Sequence, residues 1–166
     1  MEVLLVMANR FIVRLGTSST MAQQGGSGSI AIGDTVDTSS SAKKILLGNT
    51  YKTTSSTIVN NARNVEGKVV ISVVRDGVRK IELSWRVMSA SEYAVLATFF
   101  NTNFSFYAWY FDCDTNDWLV KEFYVSDRTA NAVGNKQINI NASTSSYKGG
   151  LEVQYYENVK ISLIEV

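Results

Sequence analysis

The chain has 166 residues, 45% of them hydrophobic and 19% charged, which is the size and composition of one globular domain able to bury about two-thirds of its unfolded surface. Sixteen basic against fifteen acidic residues leave a net charge of +1, so no electrostatic footprint for nucleic acid or an anionic membrane is present. Histidine is absent and Cys113 stands alone, which excludes Ser-His-Asp and Cys-His catalysis, the usual zinc and copper sites, and an internal disulfide.

The first fifteen residues, MEVLLVMANRFIVRL, are apolar but broken by Glu2, Asn9, Arg10 and Arg14. A signal peptide wants a positive start and an unbroken apolar stretch, so this pattern predicts a buried strand or hairpin. No stretch of about 18 uncharged apolar residues occurs, and no membrane insertion is expected. Proline is missing altogether, which leaves every turn to Gly, Asn, Asp and Ser. From about residue 16 to 42 the chain reads GTSSTMAQQGGSGSIAIGDTVDTSSS, too poor in apolar side chains to bury much surface. It is expected to be a long loop or arm reaching a neighbouring subunit, with Gly26, Ser29, Ile30 and Ile32 as candidate contacts.

Two β-rich runs, 69–75 and 78–87, flank Asp76-Gly77, a pair favoured in type I′ turns, and predict a hairpin. In the second run Ile81, Leu83, Trp85 and Val87 share one face. Lys80, Glu82, Ser84 and Arg86 share the other, and the charged stretch from Arg79 to Arg86 is a candidate contact surface. Ser89-Ala90-Ser91-Glu92 is a capping box. Tyr93, Leu96, Ala97 and Phe100 follow at helical spacing, widened by Val95 and Phe99, which predicts one helix over about 89–101. Residues 104–111 (FSFYAWYF) and 118–125 (WLVKEFYV) predict a second hairpin, apolar on both faces and so buried on both or pressed against a partner. A second polar loop is expected over about 126–150, with Lys136 and Tyr147 as candidate contacts. Leu151, Val153, Tyr155, Val159, Ile161 and Leu163 then keep one parity, with a bend at Glu157-Asn158. The sum predicts a single mainly β domain, an antiparallel β-sandwich or partly closed barrel with one flanking helix.

Chemical motifs are few. Gly26-Ser27-Gly28-Ser29-Ile30-Ala31 matches G-x-G-x-x-A, but no helical period follows, and a flexible loop is the better reading. Asp112, Asp114 and Asn116 start like a calcium loop, yet Asp117 and Phe123 occupy the positions that need glycine and glutamate, which favours an Asx-rich turn. Glu82, Asp112, Asp117 and Glu122 are available for two-carboxylate hydrolysis, but nothing in their spacing separates that role from solvated surface charge. Tyr107, Trp109 and Phe111 share a parity, as do Trp118 and Tyr124. Such a row stacks sugars in some β-sandwiches, and fills a core or subunit contact in most others. The alternative function is therefore a carbohydrate-binding module acting through Trp109 or Trp118. No catalytic, metal or cofactor residues are assigned.

Arg63-Asn64-Val65-Glu66-Gly67-Lys68 precedes Arg79-Lys80-Ile81-Glu82-Leu83-Ser84-Trp85; SASEYAVL at 89–96, the aromatic hairpin and VKISLIE at 159–165 complete the order. This order resembles small tail proteins of bacteriophages and prophages of Gram-positive bacteria, which share an R-N-x-x-G turn, a K-R-K-I-E-L-S-W strand, a short helix and a closing ISLIE-like strand. The resemblance covers about residues 51–128 and the last dozen, and not the first forty or the 126–150 stretch. It implies a non-enzymatic structural subunit of the virion tail (tube, baseplate or accessory ring), assembled in the host cytoplasm. Its implied partners are further copies of itself in a ring and other tail proteins, with no small-molecule substrate and no sequence-specific nucleic acid.

Overall fold

A computed structural model describes residues 11–33, 43–137 and 151–166. The chain forms β1 (Phe11–Gly16), α1 (Ser19–Gln24), β2 (Ile30–Gly33), β3 (Lys43–Leu46), β4 (Thr50–Arg63) and β5 (Val69–Ser89). These are followed by α2 (Ala90–Thr102), β6 (Ser105–Asp112), β7 (Asp117–Gln137) and β8 (Leu151–Glu165). Among the described residues the strands join in one eight-stranded sheet, ordered β3-β2-β1-β6-β7-β8-β5-β4. All the pairs are antiparallel except β2 with β3.

The two edge strands, β3 and β4, are consecutive in the chain, so residues 47–49 draw the ends of the sheet together. Across this seam the Trp85 Nε1–H donates to the Leu46 carbonyl at 2.8 Å, and the Arg86 N–H to Asn49 Oδ1 at 3.2 Å. The Tyr51 hydroxyl donates to the Phe111 carbonyl at 2.6 Å, tying β4 to the end of β6. The curled sheet encloses one core of Val13, Leu15, Ile32, Ile81, Leu83, Phe106, Tyr110, Phe123, Ile161 and Leu163, all nearly or fully buried. This is the mainly β, sandwich-like fold with a flanking helix that the alternating pattern predicts.

Helix α2 starts where the capping box places it. Ser89 Oγ accepts from the Glu92 N–H at 3.3 Å, and Leu96, Phe99 and Phe100 bury one stripe against Phe106. A second, shorter helix is the first correction. Within the stretch expected to be a loop, Ser18 caps α1, and Ile30 to Gly33 are buried in the sheet as β2. Ile30 and Ile32 alternate with small residues, and this period of two outweighs the serine and glycine around it. The rest of that stretch, residues 34–42, lies outside the described residues.

The Asp76-Gly77 pair does not turn the chain. β5 runs straight through it, and the pairing with β4 slips there, from Ser56 opposite Val78 to Ile58 opposite Arg75. Gly77, at φ +68, forms a β-bulge instead. The true turn is at residues 64–68, where Asn64 Oδ1 accepts from the N–H groups of Glu66 and Lys68 at 3.0 Å each, and Gly67 takes φ +82. The opposing strand, β4, is the element the sequence pattern misses, because TYKTTSSTIVNNAR is polar enough to read as a loop. Val87 is also displaced from the packed face: it is exposed, while Met88 turns inward beside α2.

The described part of the second polar stretch, residues 126–137, is strand, since β7 continues through residue 137 paired with β8; residues 138–150 lie outside the described residues. Strand β8 is unbroken at Glu157-Asn158. Asn158 adopts φ +52 where the β7 pairing slips by one residue, so the expected bend is a bulge.

Two ribbons outrun the body of the sheet. The β5–β8 ladder spans Lys80–Ile164 to Ser89–Tyr155. Beyond its first end, residues 69–79 of β5 pair only with β4 among the described residues. Beyond its second end, residues 151–154 of β8 pair only with β7. The register therefore sends the ribbons off opposite ends of the β5–β8 ladder.

Candidate assembly surface

The β4/β5 ribbon is a two-stranded arm on which four apolar side chains, Ile58, Val65, Val69 and Ile71, stand exposed. Ile71 is 62% exposed, and Val69 and Ile58 about half exposed. Val65 stands fully in solvent at the tip. An isolated two-stranded ribbon is marginal in water, and edges that pair with no other strand among the described residues leave a row of amide and carbonyl groups open.

The root of the arm is polar and closely connected. Arg79, on the core face of β5, carries a side chain only 11% exposed, with Nε 3.4 Å from Asp112 Oδ2 and a terminal nitrogen 3.1 Å from Asp114 Oδ2. Asp112 is fully buried, and its Oδ2 also accepts from Thr115 N–H at 3.2 Å and Thr115 Oγ1 at 2.9 Å. This is the Asx turn expected of the segment, closed over residues 113–116 with Asn116 at φ +55. Asp112 itself is not the solvated charge the sequence suggests; pairing with Arg79 is what makes its burial tolerable. Beside it, burial and then the Asp112 charge hold the Tyr110 hydroxyl well above its ordinary titration range. Glu82, by contrast, sits between Lys80 at 3.1 Å and Lys52 at 3.5 Å. Its hydrogen bond with Lys80 keeps the carboxyl below the usual range, opposite to what a general acid needs.

The aromatic row on the outer face is a packed cluster rather than a flat platform. Trp109 and Trp118 meet at 48° with centroids 5.1 Å apart, and Phe11 touches both. The Arg14 guanidinium lies 4.5 Å from the Phe11 ring centroid and 5.3 Å from that of Trp109. Its Nε donates to the Ala22 carbonyl at 2.8 Å and a terminal nitrogen to the Gln23 carbonyl, so a cation holds the C-terminal end of α1. Helix and strand fit closely there, as a Cβ on Gly16 would lie 2.7 Å from the Ala22 nitrogen. Burial lowers the Arg14 pKa.

The anticipated contact residues separate accordingly. Ser29, Ile30 and Ile32 are buried inside the chain's own core, and Arg79 turns inward to Asp112, so these four give no external surface. Gly26 is half-buried in the turn before β2, and Arg86 is exposed on the outer face. Lys136 lies on β7 in the second ribbon, and Tyr147 lies outside the described residues. Trp118 is partly exposed and Trp109 half-buried. The arm residues Ile58, Val65, Val69 and Ile71 were not singled out by sequence reasoning. The signal for them was the Asn64 to Gly67 turn, which demands two strands around it.

Three surface depressions, of 260–340 Å³, are lined by no carboxylate: one at Asn61–Arg63 and Val69, one around Trp85 and Asn158, and one between Thr17 and Phe99. The described residues contain no cluster of metal-ligating side chains and no helix long and apolar enough to cross a membrane. Comparison with protein-family models, with curated proteins and with solved structures gives no match to this chain.

Proposed function

We propose that this chain is a non-enzymatic structural subunit of a bacteriophage tail, which joins copies of itself and neighbouring tail proteins through shared sheet and extended ribbons. The carrying observation is the β4/β5 arm, with open edges and Ile58, Val69 and Ile71 exposed. A ribbon of this kind gains its missing hydrogen bonds and loses its wet apolar surface when a like ribbon adds alongside. With a second ribbon at the opposite end of the β5–β8 ladder, one subunit meets neighbours in more than one direction, as a repeating head-to-tail assembly requires. The resemblance in the Arg63–Lys68 turn, the Arg79–Trp85 strand and the closing strand gives the tail as the setting. Glycan stacking on Trp109 and Trp118 is less well supported, since the two rings are tilted 48° to each other instead of coplanar, and Phe11 and Arg14 pack against Trp109.

Sedimentation and electron microscopy of the purified chain test the reading. The expected result is rings or tubes that form with rising concentration and disappear in Ile71→Asp, whose solvent-facing position spares the folded monomer. A chain that remains monomeric at hundreds of micromolar, or an Ile71→Asp variant that associates like the parent, overturns it.

A further inference from the structure

The arm leaves the body at a joint built around one carboxylate. The β5–β8 ladder ends at Lys80 opposite Ile164, and the next N–H of β5, that of Arg79, meets a side-chain oxygen. Glu165 Oε2 is that oxygen and accepts the Arg79 N–H at 2.8 Å. The other oxygen, Oε1, faces Arg75 at 3.5 Å and Lys121 at 3.3 Å. Arg75 and Arg79 flank the Asp76-Gly77 bulge, one on the arm side and one on the body side. A single side chain therefore spans the point where a two-stranded ribbon has most freedom to swing.

The surroundings reinforce the grip. Arg75 also donates to the Val166 carbonyl at 2.6 Å, and the Val166 N–H donates to the Glu122 carbonyl at 3.0 Å, which anchors the end of β8 to β7. Within the bulge, Asp76 Oδ1 accepts from the Gly77 N–H at 2.8 Å and from the Thr57 hydroxyl. The Glu165 side chain is only 13% exposed, so its ion pairs are less screened than ordinary surface pairs.

We propose that Glu165 is a positioning residue that fixes the angle at which the β4/β5 arm leaves the body, by holding both flanks of the Asp76-Gly77 bulge at once. Fixing the arm before contact lowers the ordering cost of each joining step; that this serves assembly rests on the function proposed above.

The test uses the full chain in a Cys113→Ser background, with spin labels on Val65→Cys at the arm tip and Ala94→Cys on α2, diluted with unlabelled protein. Pulsed dipolar spectroscopy should give one narrow distance distribution in the parent. In Glu165→Gln, which keeps an acceptor for the Arg79 N–H but loses the charge, the width at least doubles. In Arg75→Gln, which releases the arm side alone, it broadens equally while the urea midpoint of the body is unchanged. Arg75 is 42% exposed, so that variant decides the matter if Glu165→Gln fails to fold. Widths as narrow as the parent in the folded variants overturn the proposal. Broadening in a chain that never self-associates upholds the clamp and rejects the assembly reading; unchanged width in a chain that does assemble rejects the clamp alone.

Discussion

Replacing Gly48 by alanine tests the closure of the sheet. A Cβ at this position would lie 2.2 Å from the Ser84 carbonyl oxygen and 2.5 Å from Cδ1 of Trp85. The first distance is about 1.2 Å short of ordinary contact, and the obstacle is backbone that cannot rotate away. Residues 47–49 must lift off β5, straining the Trp85–Leu46 and Arg86–Asn49 hydrogen bonds on either side. Overpacking against a rigid wall costs about 1–3 kcal/mol and each lost bond about 1 kcal/mol, so a loss of about 3 kcal/mol is expected. Urea unfolding followed by tryptophan fluorescence measures it. Gly67→Ala at the arm tip is the control, since Gly67 has φ +82 but nothing within 4 Å of the added carbon, and backbone strain of about 1 kcal/mol is the whole of its cost. If Gly48→Ala is no more destabilising than Gly67→Ala, the two edges of the sheet do not meet as described.

A double-mutant cycle on Asp112 and Arg79 should give a coupling of about 1–3 kcal/mol by denaturation, because each leaves the other's charge poorly compensated; a coupling under about 0.5 kcal/mol would mean that the pair is not engaged in solution. Acid should loosen the arm's root and the outer face. Asp76 is held below its ordinary 3.8, first by the Thr57 hydroxyl and then by the Gly77 N–H, and Glu82 below its ordinary 4.5 by Lys80. A folded-state pKa below the unfolded one stabilises above the unfolded value and is lost as pH falls through the folded one, so this contribution is intact at pH 6, begins to decline only as the pH drops through the ordinary values of 4.5 and 3.8, and is gone below the folded ones. Stability measured from pH 6 to 3 should fall less steeply in Asp76→Asn with Glu82→Gln than in the parent; parallel curves would refute the assignment.

The sequence made the helix and the buried strands readable because their signals are local. Ser89 and Glu92 mark a helix start, and Ile81, Leu83 and Trp85 alternate without ambiguity. Asp76-Gly77 misled for a definite reason. The same positive φ that closes a type I′ turn also forms a bulge, and only the partner strand decides between them. That partner, β4, is rich in threonine, serine and asparagine, residues that a ribbon edge tolerates and that a pattern search takes for a loop. The inward turn of Arg79 and Asp112 was likewise hidden, since each looks like surface until the curled sheet brings β5 against the β6–β7 turn. The arm as a surface was half legible: its turn was quoted in the resemblance, but its length follows from register alone.

The strand order sets a schedule for the ribosome. β1 rests between β2 and β6, and Arg14 has Trp109 as its cross-strand neighbour. At about 5–20 residues per second, the roughly one hundred residues between them take about 5–20 s to synthesise. Through that interval the nascent β1–β2 pair exposes an unsealed side, and long-range pairing of this kind is intrinsically slow. Holdase chaperones that shield β1 until β6 emerges should therefore raise the yield of native chain more than any slowing of the later steps.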